Sequence, residues 1–425
     1  MLSCMRRASP NVLLCQLKVL RDITSRTLSA VTTLAVDDVD KRENSILVNW
    51  SKEKDSWSKY HFDWLRDSCL CTKCRHPGYN QRLLDTLEDA TPTSVEVEDS
   101  AAAVEVEWRD GHRSQYSYEW LLANSYCHNN VNKPAKPGED KIKEITLWDH
   151  KTMVDPPQVN YNNMMTNDNS LLTMLRAIYK YGFCFILDAP VTKESMTAAG
   201  DRVGPFKNSY YGQQWYMETT SHKKDHVSFG KGRVLPHTDD PVFFEPPGLT
   251  WVHVLAYENA EGAGSKIVDA FSLASYIKQH NPQYYTLLCK VSVPYKILFK
   301  DATYGIRKNT FTLDDDGELT AIALNHIDRK PLDEKSLSEA TKALSCNADE
   351  AMMKMYSALR HLHQLLYSDQ FAYKCDLRPS TMVVVNNWRM FHARDALIKG
   401  YRSVCGMHHN REDWMSKLTM LESSH

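Results

Sequence analysis

The stretch "RVLPHTDDPVFFEPPG", Arg233 to Gly248, decides how the chain is read. It places His237 and Asp239 two residues apart, ahead of aromatic residues and a Pro-Pro-Gly corner. In a strand, side chains i and i+2 point to the same face. Such a pair can offer two ligands to one metal, or be two polar residues entering a turn. The spacing alone does not discriminate, because His61/Asp63 and His326/Asp328 share it.

A mononuclear iron(II) oxygenase needs two imidazoles and one carboxylate on one face of the metal, with the opposite positions open. In a double-stranded β-helix, the second histidine arrives several strands later, followed by a cation for a co-substrate carboxylate. After His326/Asp328, the segment "DEKSLSEATKALSCNADEAMMKMYSALRHLHQLLYSDQ" reads almost wholly as helix and leaves no room for those strands. His61/Asp63 lies beside the cysteines of another unit, and His61 reads as a core or surface histidine. Behind His237/Asp239, several strand-like segments precede His392, which follows "VVVNNWRMF", and Arg402 comes ten residues later in "GYRSVCG". This pair alone has a third ligand and an anchoring cation in reach. Spacing favours a metal, with polar turn residues as the alternative.

Composition sets the frame. A chain of 425 residues predicts two or three domains, and 42% hydrophobic residues supply a sizeable core. A net charge of −2 gives no general pull toward nucleic acid. The lack of an apolar run of about 18 residues argues against a membrane span. Of eleven cysteines, most stand singly, as expected of reduced thiols. Cys69, Cys71 and Cys74 cluster. The first 35 residues carry five basic residues and one acid, Asp22. Residues 1–40 therefore read as a mitochondrial targeting segment. The matrix is the expected location, and a disordered basic tail on a cytoplasmic protein is the alternative.

Residues 45–127 read as a small β-rich domain, with "SVEVED" and "AVEVEW" alternating at period two and Asp-Gly marking a hairpin. Residues 128–144 form a polar linker, and 145–425 a larger unit. There, "SLLTMLRAIYKYG" predicts a helix stopped by Gly182 before the strand "FCFIL". Further strands are read at "LTWVHVLAY", "SKIVDAF", "TAIAL", "TMVVVNNW" and "YRSVCGM", and a long helix over 348–368. The fold class expected is α+β. In the small domain, "CLCTKC" and His112 offer three thiolates and an imidazole, the donor set of a closed tetrahedral zinc site. Free thiols are the alternative. Zinc would hold together a domain expected to have little core of its own.

"PHTDDPVFFEPPG", "NNWRMFHAR", "YRSVCG", "WLRDSCLCTKC", "QRLLDT" and "YYGQQWY" together resemble the iron(II)- and 2-oxoglutarate-dependent dioxygenases of carnitine synthesis. The resemblance covers nearly everything after residue 45. It implies a double-stranded β-helix (jelly-roll) core with flanking helices and an N-terminal zinc domain. It further implies His237, Asp239 and His392 as iron ligands, and Arg402 on the distal carboxylate of 2-oxoglutarate. Ser265 stands where the family has a hydroxyl near the co-substrate, and is otherwise a turn serine. Zinc on Cys69, Cys71, Cys74 and His112 is implied too, as are ascorbate as reductant and a homodimer. Tyr211 and Trp215 match the aromatic cage of a trimethylammonium substrate, whose cation is attracted to ring faces; without the resemblance, such aromatics are more often core. Phe229 and His408 fall where the butyrobetaine enzyme has tyrosines, Asn325 matches a substrate asparagine in part, and His226 replaces another. His-Thr-Asp-x-Pro, Pro-Pro-Gly and "TLDDDGEL" favour γ-butyrobetaine as substrate. "QRLLDT", "GYRSVCG" and the transit-like start lean toward trimethyllysine. Hydroxylation of a protein side chain and a catalytically inactive zinc-stabilised binding protein stand as further alternatives.

Overall fold

The computed structural model describes residues 36–51, 54–83, 90–98, 102–131, 145–219 and 230–423. Residues 1–35 of the expected targeting segment, linker residues 132–144, His226 and Phe229 lie outside them. The chain divides into two compact units, Met1–Asp140 and Lys141–His425.

The first unit contains β1 (Asp38–Lys41), β2 (Ser45–Ser51), β3 (Ser56–His61), β4 (Pro92–Glu98), β5 (Ala103–Trp108), β6 (Arg113–Ser117) and β7 (His128–Asn129). They form two sheets, β1-β2-β3-β7 and β4-β5-β6. Because β1 and β7 pair with the β2–β3 hairpin, the unit reaches beyond 45–127 at both ends. Period-two alternation buries Val104, Val106 and Trp108 of β5. The expectation of little core does not hold. Ile46, Val48, Tyr60, Phe62, Leu65, Trp108, Tyr116 and Leu121 pack as one cluster. Two of its aromatics have satisfied polar tips: Trp108 Nε1–H donates to Ser114 Oγ (2.8 Å) and Tyr60 O–H to Leu121 O (2.6 Å). Two short helices, Phe62–Asp67 and Tyr118–Ala123, supply part of that core, which strand patterning alone does not reveal.

The second unit contains β8 (Gln158–Asn160), β9 (Phe183–Leu187), β10 (Gln214–Glu218), β11 (Val234–His237), β12 (Leu249–Gly262), β13 (Ser265–Asp269), β14 (Ser292–Leu298), β15 (Thr303–Asn309), β16 (Phe311–Leu313), β17 (Leu319–Ile322), β18 (Ala372–Cys375), β19 (Met382–Asn386), β20 (Met390–Arg394) and β21 (Leu397–His409). A six-stranded mixed sheet, β10-β21-β12-β19-β9-β8, packs against a four-stranded antiparallel sheet, β11-β20-β13-β18. The architecture is α+β, consistent with a jelly-roll. Alternation shows the layering directly. On β9 and β19, Phe183, Phe185, Val383 and Val385 fill the space between the sheets. Cys184, Ile186, Met382 and Val384 face a second core with the helix Asp168–Tyr181. Burial on both faces is why "FCFIL" reads as an unbroken apolar run.

That helix buries Leu171, Leu172, Leu175 and Ile178, as its periodicity predicts, and ends on Gly182 at φ 88°, a left-handed position that suits glycine. Among the described residues, no helix is long and apolar enough to cross a membrane.

One buried ion pair fixes the strand that carries His392. Arg389, just before β20, meets Asp269 through Nη2 (2.7 Å) and Nε (3.1 Å). It also donates to Lys180 O and Thr146 O. Asp269 caps the helix Ala270–His280 by accepting from Phe271 and Ser272 N–H. Both residues are almost wholly removed from solvent, at 1% and 0% side-chain exposure.

Candidate active site and cysteine cluster

β11 ends on His237, and the register sets it directly opposite His392 of β20. Their ring centroids lie 4.3 Å apart. The turn after β11 returns Asp239 to the same place, with Oδ1 3.2 Å from His237 Nε2 and 3.4 Å from His392 Nε2. Ligands at right angles around one ion, bonded at about 2.0–2.2 Å, lie about 3 Å apart, so the three atoms can share an ion. His237 Nδ1 is 2.8 Å from Leu235 O; a carbonyl only accepts, so Nδ1 carries the proton and Nε2 presents its lone pair. Burial would raise the Asp239 pKa, but the adjoining His392 and His237 hold it well below the carboxylate range.

Two residues absent from the expected site hold Asp239. Its backbone N–H donates to Asn387 Oδ1 (2.7 Å), and Asn387 Nδ2 donates to Asp239 O (3.0 Å) and Pro247 O (3.1 Å). The Thr250 hydroxyl donates to Asp239 Oδ2 at 2.8 Å. Asn387 stands in the quoted "NNWRMFHAR", where its position gives no hint of this role. Thr250 leaves no sequence signal, since it reaches Asp239 through sheet pairing.

The pocket beside this group lies between the two sheets and is walled by Val252, Ile267, Val383, Val385 and Val404. Arg402 of β21 enters it at 4% exposure, and its Nε has no hydrogen-bond partner among the described residues. Burial, then the neighbouring Arg394, lowers its pKa to about 10. An unpaired buried guanidinium calls for an anion, and a carboxylate can take both its nitrogens. Ser265 lines the same pocket, opposite Arg394 in the β13–β20 register. Arg394, two residues after His392 and so on its face of β20, was not anticipated. It lines the pocket while donating to Gly230 O (2.8 Å) and Gly232 O (2.7 Å).

Tyr211 and Trp215 line the pocket. Trp215 pairs with Gly406 across β10–β21, and a Cβ there would sit 1.9 Å from the indole, so glycine lets the ring lie on the strand. His408 also lines it but spends both ring nitrogens internally, 3.1 Å from Trp215 Nε1 and 3.3 Å from Thr250 Oγ1. Burial lowers its pKa. Asp240, next to the metal-type carboxylate, lines the pocket; its backbone carbonyl accepts Phe243 N–H (3.1 Å), while its carboxylate has no hydrogen bond or ion pair among the described residues. Burial, then Asp239 and Asp328, raises its pKa to about 8. Such a carboxylate gains from a cationic neighbour. Asn325 does not line the pocket; its Oδ1 accepts Ile327 N–H (3.0 Å) within its own turn.

In the first unit, Cys69, Cys71 and Cys74 Sγ lie 3.4, 3.5 and 3.4 Å from His112 Nε2. Zinc bonds of about 2.3 Å to sulfur and 2.0–2.1 Å to nitrogen give a tetrahedral N–S edge of about 3.5 Å. Arg66 donates to Cys74 Sγ and pairs with Asp110, which accepts the His112 backbone N–H (2.9 Å). Among the described residues, these four and the His237 group are the two clusters able to hold an ion. His61 instead contacts the Tyr126 hydroxyl (2.8 Å), and His326 packs edge-on against His363.

A family model described as "Taurine catabolism dioxygenase TauD, TfdA family" matches residues 141–411, well over half of the chain. The chain belongs to this dioxygenase family. A second model, "Gamma-butyrobetaine hydroxylase-like, N-terminal", matches residues 38–122. The dioxygenase is 28% identical to a trimethyllysine dioxygenase of Meyerozyma guilliermondii, over 87% of this chain and 93% of that one. It is 25% identical to the mitochondrial trimethyllysine dioxygenase of Gallus gallus (86% and 84%) and 23% identical to the γ-butyrobetaine dioxygenase of Homo sapiens (88% and 93%). It is a 2-oxoglutarate-dependent dioxygenase of the trimethyllysine and γ-butyrobetaine group.

Proposed function

We propose that this dioxygenase hydroxylates trimethyllysine. His237, Asp239 and His392 would hold iron(II), and Arg402 the distal carboxylate of 2-oxoglutarate, with Ser265 beside it. Iron and 2-oxoglutarate, once bound, supply the oxidising chemistry that replaces a C–H hydrogen with hydroxyl, consuming dioxygen and releasing succinate and carbon dioxide. The chain's own task is positioning. The valine and isoleucine walls exclude water, and Tyr211 and Trp215 offer ring faces to the trimethylammonium group.

The observation that carries the substrate assignment is Asp240, a pocket carboxylate with no hydrogen-bond or ion-pair partner among the described residues. Trimethyllysine brings two cations and one carboxylate, whereas γ-butyrobetaine brings one of each. The second cation, the α-ammonium, suits Asp240. The names of the relatives in yeast and bird support the same choice, against the balance of sequence motifs. The test is a competition assay offering both compounds with product mass as readout. Hydroxylated trimethyllysine should dominate; predominant carnitine would overturn the assignment.

The cysteine cluster is proposed to hold structural zinc, all four positions being filled by protein. A mitochondrial matrix location is proposed from the Arg-rich, acid-poor start, in keeping with relatives named as mitochondrial.

A further inference from the structure

Asp239 uses its two oxygens differently. Oδ1 is the oxygen near both imidazole Nε2 atoms, at 3.2 and 3.4 Å, while Oδ2 accepts the Thr250 hydroxyl at 2.8 Å. A threonine hydroxyl has one proton, and here the carboxylate receives it. Its contact with His408 Nδ1 (3.3 Å) must therefore be one in which Thr250 accepts and Nδ1 carries the hydrogen. That leaves Nε2 of the neutral ring as an acceptor. An indole N–H can only donate, and Trp215 Nε1 sits 3.1 Å from that Nε2. Every donor then points one way, from Trp215 to His408 to Thr250 to Asp239. The chain crosses three neighbouring strands, with Thr250 directly opposite His408 and Trp215 opposite Gly406. Thr250 and His408 are 1% and 4% exposed, so water does not compete for these bonds.

We propose that Thr250 and His408 are positioning residues that hold Asp239 as a one-oxygen metal ligand and lock the Trp215 indole to the same hydrogen-bond line. His408 then belongs to the support of the metal rather than to the substrate cage. The inference rests on the proposed role of His237, Asp239 and His392 as metal ligands. Outer partners of this kind are typically worth 10–100-fold in metal affinity or activity.

The test is manganese(II) titration of the metal-free full-length chain, free manganese being read by its electron paramagnetic resonance signal. Manganese prefers oxygen and nitrogen donors, so the cysteine cluster does not compete. Thr250→Val keeps the shape and removes the hydroxyl; affinity should fall 10–100-fold, and Thr250→Ser should restore it to within about threefold of the original. His408→Phe should also weaken binding, and it serves as the deciding variant if Thr250→Val fails to fold. In turnover, both should raise the succinate formed per hydroxylated product. Wild-type manganese affinity in Thr250→Val, or in His408→Phe if that is the variant that folds, would overturn the inference. A wild-type chain whose manganese binding is unaffected by His237→Ala would instead sink the ligand assignment beneath it.

Discussion

Arg402 illustrates how a single buried charge constrains function. Its guanidinium is enclosed and has no carboxylate partner among the described residues, which suits it to an anionic ligand. Arg402→Met should raise the KM for 2-oxoglutarate by roughly ten- to a hundredfold, the equivalent of about 1.5–3 kcal/mol for hydrogen bonds to a charged group. Steady-state succinate formation reads this directly. His409 carries a different constraint. Burial lowers its pKa from 6.5 to about 4 in the folded chain, where Nε2 lies 3.1 Å from Gly200 O. Between those values the unfolded chain binds a proton that the folded chain refuses, so this residue makes stability fall as pH drops from about 6.5 toward 4. Melting temperatures at pH 7 and pH 5 should differ less in His409→Gln than in the wild type. At this scale the convergence of His237 and Asp239 with His392, and the approach of Arg402 to the same pocket, were legible, because their types and order are demanded by the chemistry. Thr250 was not, since a threonine in an apolar strand has no distinguishing feature until its cross-strand neighbour is known. His408 was visible as a pocket residue, but its bonds were not.

Secondary elements were legible where periodicity was long. The helices Asp168–Tyr181 and Ala348–Tyr367 bury the stripes their spacing marks, Met352 being only partly covered. The helical reading of residues 333–370 also matches, with Glu334–Leu344 and Ala348–Tyr367 taking up most of that segment before β18 and β19. Short strands such as β11 and β18, of four residues each, escaped because so few positions show no period. Pairing was also hidden: β11 lies beside β20, some 150 residues later, and sequence pattern carries no register over that distance. The Arg389–Asp269 pair belongs to this scale, joining the end of β13, a helix start and the approach to β20. Asp269→Ala should cost about 3–5 kcal/mol, because it strands a buried guanidinium. Chemical denaturation would show it as an earlier midpoint, and a loss below about 1 kcal/mol would mean that the pair does not organise β20.

For the whole molecule, the chain divides into two compact units, and the small one is better filled than anticipated. Its core of Tyr60, Trp108, Tyr116 and neighbouring aliphatic residues gives it cohesion independent of the cysteines. Cys71→Ser should accordingly abolish zinc in the purified chain, measured by elemental analysis, and lower the melting temperature. Because that core remains, the far-ultraviolet dichroism at 25 °C should largely persist. The larger unit places His237, Asp239 and His392 together on β11, the turn behind it and β20, beside the pocket between two sheets. These three side chains are proposed to hold one iron ion that also binds 2-oxoglutarate. Anaerobic reconstitution with iron(II) and 2-oxoglutarate, followed by visible absorption, tests it most directly. The wild-type chain should develop a metal-to-ligand charge-transfer band at one iron per chain, and His392→Ala should not; an equal band in both would contradict the account.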